Sequence, residues 1–450
     1  MRQNKDYLIT EKPSRALLIF SIPMIIGNLF QQAYTIVDSA IVGRYVGETA
    51  LAAVGASYAL TSIFICIAIG GGIGASVIIS HHFGAHNYGR MKTGIRTALL
   101  SFLFISLILG GIGLIFSQQI MEVLNTPADA IDIAVTYLNI YFLGLPFLFM
   151  YNILSSMFNA LGESRIPLYL LIFSSVLNIF LDLYMVAVLN LGVAGAAYAT
   201  FIAQGISAVL SLIIFVVTLQ QLQGKAEGWF SKTEFSDMSR IALPSILQQS
   251  TVSIGMMLVQ SVVNSFGTQI LAGFSAAMRI ESLCVVPMSA IGNAMSSYTA
   301  QNIGAEKEER ISQGYRAGNF MIIVIAVILC FFLEIAHKPL IALFLDNEPS
   351  AQTIVTGESY LKFIGFFFCM IGFKMAVDGI LRGAGAVRVF TIANLVNLTL
   401  RVTIAKFGAP IWGVSMVWYA VPLGWLANFL ISYGYYRTGK WKEAVSKTVD

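Results

Sequence analysis

Apolar residues run along this chain in blocks too long for a soluble core and broken by short polar stretches at near-regular intervals. A helix needs roughly 20 mainly apolar residues to cross a bilayer. Twelve segments meet that length, with approximate limits of 16 to 41, 51 to 79, 97 to 116, 133 to 159, 165 to 188, 193 to 219, 241 to 264, 270 to 299, 317 to 336, 354 to 381, 389 to 407 and 411 to 436. The basic start MRQNKDYLITEKPSR runs into the first segment with no small-residue cleavage site, so that segment is expected to remain in the mature protein. The most polar stretch between segments is QLQGKAEGWFSKTEFSDMSR. It reads as a linker, with a short interfacial helix carrying Trp229 and Phe230 as one form it could take.

The blocks also repeat. LAAVGASYAL with ISHHFGAHNYGRMKTGIRTA resembles LAGFSAAMRI with AQNIGAEKEERISQGYRAG, pairing Ala85 with Ala305, Arg90 with Arg310, Gly94 with Gly314 and Arg96 with Arg316. Pro23 answers Pro244. NALGESR pairs with RGAGAVR, and LGVAGAAY with WGVSMVWY, so Gly162, Arg165, Gly192 and Tyr198 match Gly385, Arg388, Gly413 and Tyr419. Each copy holds six spans, an even number, so both insert in the same orientation about an axis along the membrane normal. The expected fold is an all-α integral membrane protein of twelve transmembrane helices in two pseudo-symmetric six-helix bundles. The expected division is a tail over 1–15, a first lobe over 16–220, a linker over 221–240, a second lobe over 241–436 and a tail over 437–450.

Composition excludes the soluble alternative: 57% of residues are hydrophobic, 11% are charged and the mean hydropathy is +0.77. Charge then sets the expected orientation. With the N-terminus inside, twenty Lys and Arg, from Arg2 and Lys5 to Lys447, face the cytoplasm, against Arg44, Lys338, Lys362 and Lys406 outside. That asymmetry places both termini in the cytoplasm of a multi-pass cell-membrane protein. It also accounts for the net charge of +4 without a nucleic-acid partner. No GxxxxGK[ST] loop occurs, so no nucleotide is expected to drive the protein. An ion gradient remains, worth about 2.3 kcal/mol per charge per 100 mV. Cys66, Cys284, Cys330 and Cys369 lie in apolar spans without paired spacing and read as packing residues.

Two acids stand against this apolar background. Asp38, in AYTIVDSAIV, and Asp182, in SSVLNIFLDLYMVAVL, lie near the middle of spans, where a charge costs several kcal/mol and marks an ion or substrate site. Asn178 is four residues before Asp182 and so on the same helical face. Tyr34 and Gln31 share a face with Asp38, where aromatic and amide groups suit a planar organic cation, or ordinary helix packing. The repeat provides an internal control: its register carries Asp38 to Leu258 or Val259 and Asp182 to Ala405 or its neighbours, where no acid occurs. The second half instead carries Arg279, Glu281, Lys374, Asp378 and Arg401, a balance of +1 against −2 for the two acids of the first. Lys374 and Asp378, four apart, are expected to form an ion pair. The basic excess would suit an anionic group.

VDSAIVGRYVGETALAAVG, the doubled GA loop after the second and eighth spans, AMRIESL and the duplicated twelve-span layout resemble the multidrug and toxic compound extrusion (MATE) family over essentially the whole chain. The resemblance implies a V-shaped alternating-access antiporter that exports organic, cationic or amphipathic compounds against inward H+ or Na+. In its DinF-like branch, coupling is placed on an aspartate of the first helix, an asparagine and aspartate four apart on the fifth and a threonine on the sixth. Asp38, Asn178, Asp182 and Thr200 stand at those places, and Gln204 follows Thr200 by one turn. The resemblance also associates a proline at the spacing of Pro23 with bending of the first helix. The NorM-type glutamate of the seventh helix is replaced here by Gln248 and Gln249. The four oxygen-bearing groups would suit either a proton or a hard cation such as Na+. No other cofactor and no enzymatic activity are expected, and the expected assembly is a monomer. The leading rival is a flippase for lipid-linked or anionic amphiphiles from the same superfamily. A channel lacks a continuous polar pore, and an enzyme using His81, His82 and His86 is weakened by the second copy, which has no histidine there.

Overall fold

The computed structural model describes residues 6–46, 48–124, 126, 130–345 and 350–442, which leaves Arg2, Lys5 and Lys447 of the charge asymmetry outside it. These residues form fifteen α-helices in chain order: α1 Tyr7–Thr10, α2 Pro13–Tyr45, α3 Glu48–Gly84, α4 Tyr88–Val123, α5 Ile131–Ala160, α6 Arg165–Asp182, α7 Gly192–Gln220, α8 Lys232–Asn264, α9 Thr268–Gly304, α10 Glu309–Ala342, α11 Ala351–Gly365, α12 Phe368–Gly383, α13 Val387–Thr403, α14 Ala409–Trp412 and α15 Ser415–Arg437. Among the described residues, eleven spans are long and apolar enough to cross a membrane. A twelfth is the pair α11 and α12, bent by 52° at Phe366 and Phe367. The tenth span is therefore two helices rather than the one expected over 354–381.

The duplication is visible in backbone detail. Both α3 and α9 end in a GA turn whose next residue is left-handed, His86 at φ 54° and Glu306 at φ 57°. In each, an amide beyond the turn reaches back to the helix: Asn87 N to His82 O at 3.0 Å, Lys307 N to Asn302 O at 2.8 Å. This is a Schellman closure, and it makes His86 a turn residue. Gly162 and Gly385 share positive φ, as do Gly192 and Gly413. Most telling, α6 and α13 each run into a π-helical segment, Leu183–Val188 and Ile404–Gly408.

Packing divides the chain into two units, residues 26–246 and residues 1–25 with 247–450. The division does not fall at the linker. Tyr7–Thr10, within the expected tail, instead form α1, whose Leu8 is fully buried. Its carbonyls are held by Asn302 Nδ2 at 3.1 Å and Arg310 Nη2 at 3.3 Å to Leu8 O, and by Lys307 Nζ at 3.4 Å to Ile9 O. Conversely, the start of α8 packs on α3, where a Cβ on Gly74 would lie 2.7 Å from Ala242 N. Helix α2 runs through Pro23 and α8 through Pro244 without interruption.

Within the first unit α5 packs on α3, α4 and α7, and α6 on α7. The second unit repeats those pairings, with α9 on α11 and α12, and α15 on α12 and α13. Small residues allow the closest approach. Gly379 and Gly383, one turn apart on α12, face the carbonyls of Gly292 and Ser296 on α9 so closely that a Cβ at either would overlap them. Apolar side chains gain little from leaving lipid for protein, so such close contacts drive helix association in membranes.

The linker is not helical where a helix with Trp229 and Phe230 was considered: α8 begins only at Lys232. Its amides are taken by side chains of α4. Thr93 Oγ1 accepts from Glu227 N at 2.9 Å and Thr97 Oγ1 from Ser231 N at 3.0 Å. Lys92 Nζ donates to Leu222 O and Gly224 O at 2.7 and 2.8 Å, and Arg96 lies over the Trp229 ring at 4.6 Å. Amides engaged this way cannot close i to i+4 bonds.

Candidate functional site

Four helices of the first unit bring the acids together. Helix α2 presents Tyr34 and Asp38 one turn apart, α6 ends on Asn178 and Asp182, α7 offers Thr200 and Gln204, and α5 adds Tyr137. Asp182 is fully buried and Asn178 is 2% exposed, whereas Asp38 is half-buried. Asn178 Nδ2 donates to Thr200 Oγ1 at 3.2 Å, and the Tyr34 hydroxyl also approaches Thr200. The two carboxylates lie close enough for each to feel the other's charge. Asp38 and Asp182 therefore form one site, although 144 positions of sequence separate them.

The chemistry of that site lies in what its oxygens lack. Asp38 Oδ1, both carboxylate oxygens of Asp182 and Asn178 Oδ1 are buried, and no protein donor reaches them. All four are acceptors. Two carboxylates side by side repel when both are charged, and burial removes the water that would screen them. A shared proton turns the contact into a hydrogen bond, and a hard cation turns the same oxygens into ligands. The arrangement thus fits one small positive charge. The π-helical turn that starts at Leu183 follows Asp182 directly, a local irregularity of the kind found at functional sites.

Tyr137 was not singled out from sequence. It stands beside both acids, and with Tyr141, Gly144, Thr200, Phe201 and Gln204 it lines a small cleft. Gln204 thus joins the site, while Gln31 is exposed on α2. Among the described residues no group of three or more His, Cys, Asp or Glu is placed to hold a metal ion. His82 instead pairs with Glu234 of α8 at 3.0 Å, and His86 with the Tyr88 hydroxyl at 2.9 Å.

In the second unit the expected ion pair forms, Lys374 Nζ to Asp378 Oδ2 at 3.2 Å, with both residues buried. It is closed by further bonds: Lys374 to Asn394 Oδ1 at 3.1 Å and Ser432 Oγ to Asp378 Oδ1 at 2.7 Å. Such a pair is structural, since every charge is met. Glu281 accepts from the Tyr360 hydroxyl at 2.6 Å, close to Arg401. Arg279 is exposed.

Comparison with known proteins follows the same division. The family model described as MatE matches residues 23–184 and again 244–406, once in each copy of the repeat. The probable multidrug resistance protein YpnP of Bacillus subtilis strain 168 is 32% identical over 430 residues, covering 95% of this chain and 96% of its own. The FAD transporter of Shewanella oneidensis is 24% identical over 99% of both chains. Among solved structures, a MOP superfamily transporter from Pyrococcus furiosus superposes with a TM-score of 0.90 at 24% identity, over 98% of this chain and 99% of that one.

Proposed function

The chain belongs to the MatE family, and on that premise we propose that it is a secondary antiporter, of the DinF-like type, that exports organic compounds by alternating access in exchange for inward H+ or Na+. The observation that carries this reading is the buried pair Asp38 and Asp182 with donor-less oxygens beside Asn178 and Thr200. An ion entering there neutralises the pair, and its departure restores a negative site that attracts a cationic or amphipathic substrate. Ion binding and substrate release are then linked through one equilibrium. The protein lies in the cell membrane as a monomer with both termini in the cytoplasm, the orientation its Lys and Arg distribution favours. Its relatives include proteins named for multidrug resistance and for FAD transport.

The test is purified protein in liposomes with proton and sodium gradients imposed separately, and efflux of a cationic dye as readout. Efflux driven by one gradient and abolished by Asp182→Asn supports the reading and names the ion. Equal dye movement with no gradient would rule out an antiporter.

A further inference from the structure

Arg401 lies on α13, is only 9% exposed, and its Nε and Nη2 find no protein acceptor. Those two nitrogens form one edge of the guanidinium plane, the fork that grips a carboxylate or phosphate through two parallel bonds. A buried arginine in a membrane protein normally spends that edge on a protein acceptor, because leaving it bare costs several kcal/mol. The repeat shows what stands here. The register that pairs Arg165 with Arg388 pairs Asn178 with Arg401 and Tyr137 with Tyr360, and the one that pairs Tyr198 with Tyr419 pairs Ala197 with Trp418. The same kind of π-helical segment follows Asp182 in one copy and Thr403 in the other. Arg401 thus lies in the stretch of α13 that answers Asn178 to Asp182 of α6.

The groups around Arg401 differ in kind from those of the first unit's site. Arg401 acts electrostatically on Glu281 and Tyr360, and Tyr360 is in edge contact with Trp418, ring centroids 6.0 Å apart. Trp418 Nε1 is a second buried donor with no protein partner. Asn397, one turn before Arg401 on α13, has its Oδ1 unmet as well. By contrast Lys374 and Asp378, also in this unit, have their charges met.

We propose that the second unit holds an oxyanion site at Arg401, which takes the carboxylate or phosphate group of an organic compound through the Nε and Nη2 fork, with the aromatic side chains of Trp418 and Tyr360 beside it. The assignment rests on the transporter reading above and adds to it that the cargo carries a negative group. A molecule with both a cationic and an anionic group meets both requirements. Glu281 counts against the anion by repulsion, so its removal tightens the site.

The experiment is the thermal unfolding midpoint of detergent-purified protein against rising sodium benzoate, with benzamide and sodium chloride at matched concentrations. No gradient is present. A ligand of the native state raises the midpoint in a saturable way. Benzoate is expected to do so and benzamide and chloride are not. Arg401→Gln is expected to weaken the benzoate effect at least about tenfold, Arg401→Lys, which keeps the charge but loses the fork, to weaken it nearly as much, and Glu281→Gln to strengthen it. Should Arg401→Gln not fold, Arg401→Lys and Glu281→Gln carry the test. Equal shifts with benzoate and benzamide, no benzoate shift, or an Arg401→Lys protein matching the wild type would overturn the assignment and leave Arg401 as a charge serving Glu281. Asp182→Asn protein is expected to bind benzoate normally. Failure of the anion site therefore leaves gradient-driven transport standing, and transport indifferent to Asp182 leaves the anion site standing.

Discussion

The two six-helix units share helix pairings, GA turns and π-helical segments, yet the paired acids of one and the Lys374–Asp378 pair of the other meet burial in opposite ways. In the first, Asp38 and Asp182 face each other with acceptors that no donor meets. In the second, Lys374 and Asp378 are joined at 3.2 Å and closed by Asn394 and Ser432. Desolvating a charge is costly in both. Where partners are complete, the charge holds helices together; where they are missing, the protein retains an energetic debt that a mobile ion can cancel. The scaffold is the same in both, and the units differ in which of these buried positions have their partners.

That contrast can be broken from either side. The largest stability effect is expected in the paired unit: Lys374→Met strands Asp378 and should destabilise the protein by about 3–5 kcal/mol in a detergent unfolding titration, with much of the loss recovered in a Lys374→Met, Asp378→Leu double variant. In the unpaired unit the pattern reverses. Asp182→Asn should leave unfolding unchanged or shift it upward, because it removes one of two repelling acids, while gradient-driven efflux falls at least about tenfold. A destabilised Asp182→Asn protein would show that the acids are structural after all. Thr200→Ala, which takes away the acceptor of Asn178 Nδ2, should cost about 0.5–1.5 kcal/mol and weaken ion-dependent efflux less than the aspartate change. Smallest of all, Trp229→Ala should cost about 0.5–1 kcal/mol through loss of the ring beneath Arg96, with transport unchanged.

Much of this was legible in the residues. Span count, duplication and the Lys374–Asp378 pair follow from hydropathy and helical spacing, and Asp38, Asn178 and Asp182 stand out because acids and amides are rare in apolar runs. Other features were not, for a physical reason. These helices are apolar nearly all round, so the hydrophobic pattern says little about which face meets protein and which meets lipid. Tyr137 is one tyrosine among 18, and only the packing of α5 puts it beside the acids. The bend at Phe366 and Phe367 carries no proline. The linker fails to become a helix because Thr93 and Thr97, more than 130 positions away, capture its amides. A contact at that distance leaves no local trace.

The exchange of ends between the copies bears on how the protein is made. Residues 1–25 belong with the second half and the first turns of α8 with the first. During synthesis, the face of α3 around Gly70 and Gly74 must wait for Ile246 and Ala242, and Leu8 must wait for Asn302. Neither half is a self-sufficient folding module. A gene cut within the linker would yield fragments that each lack a piece of their own interior, so that recovery of a working protein would require both to be produced together.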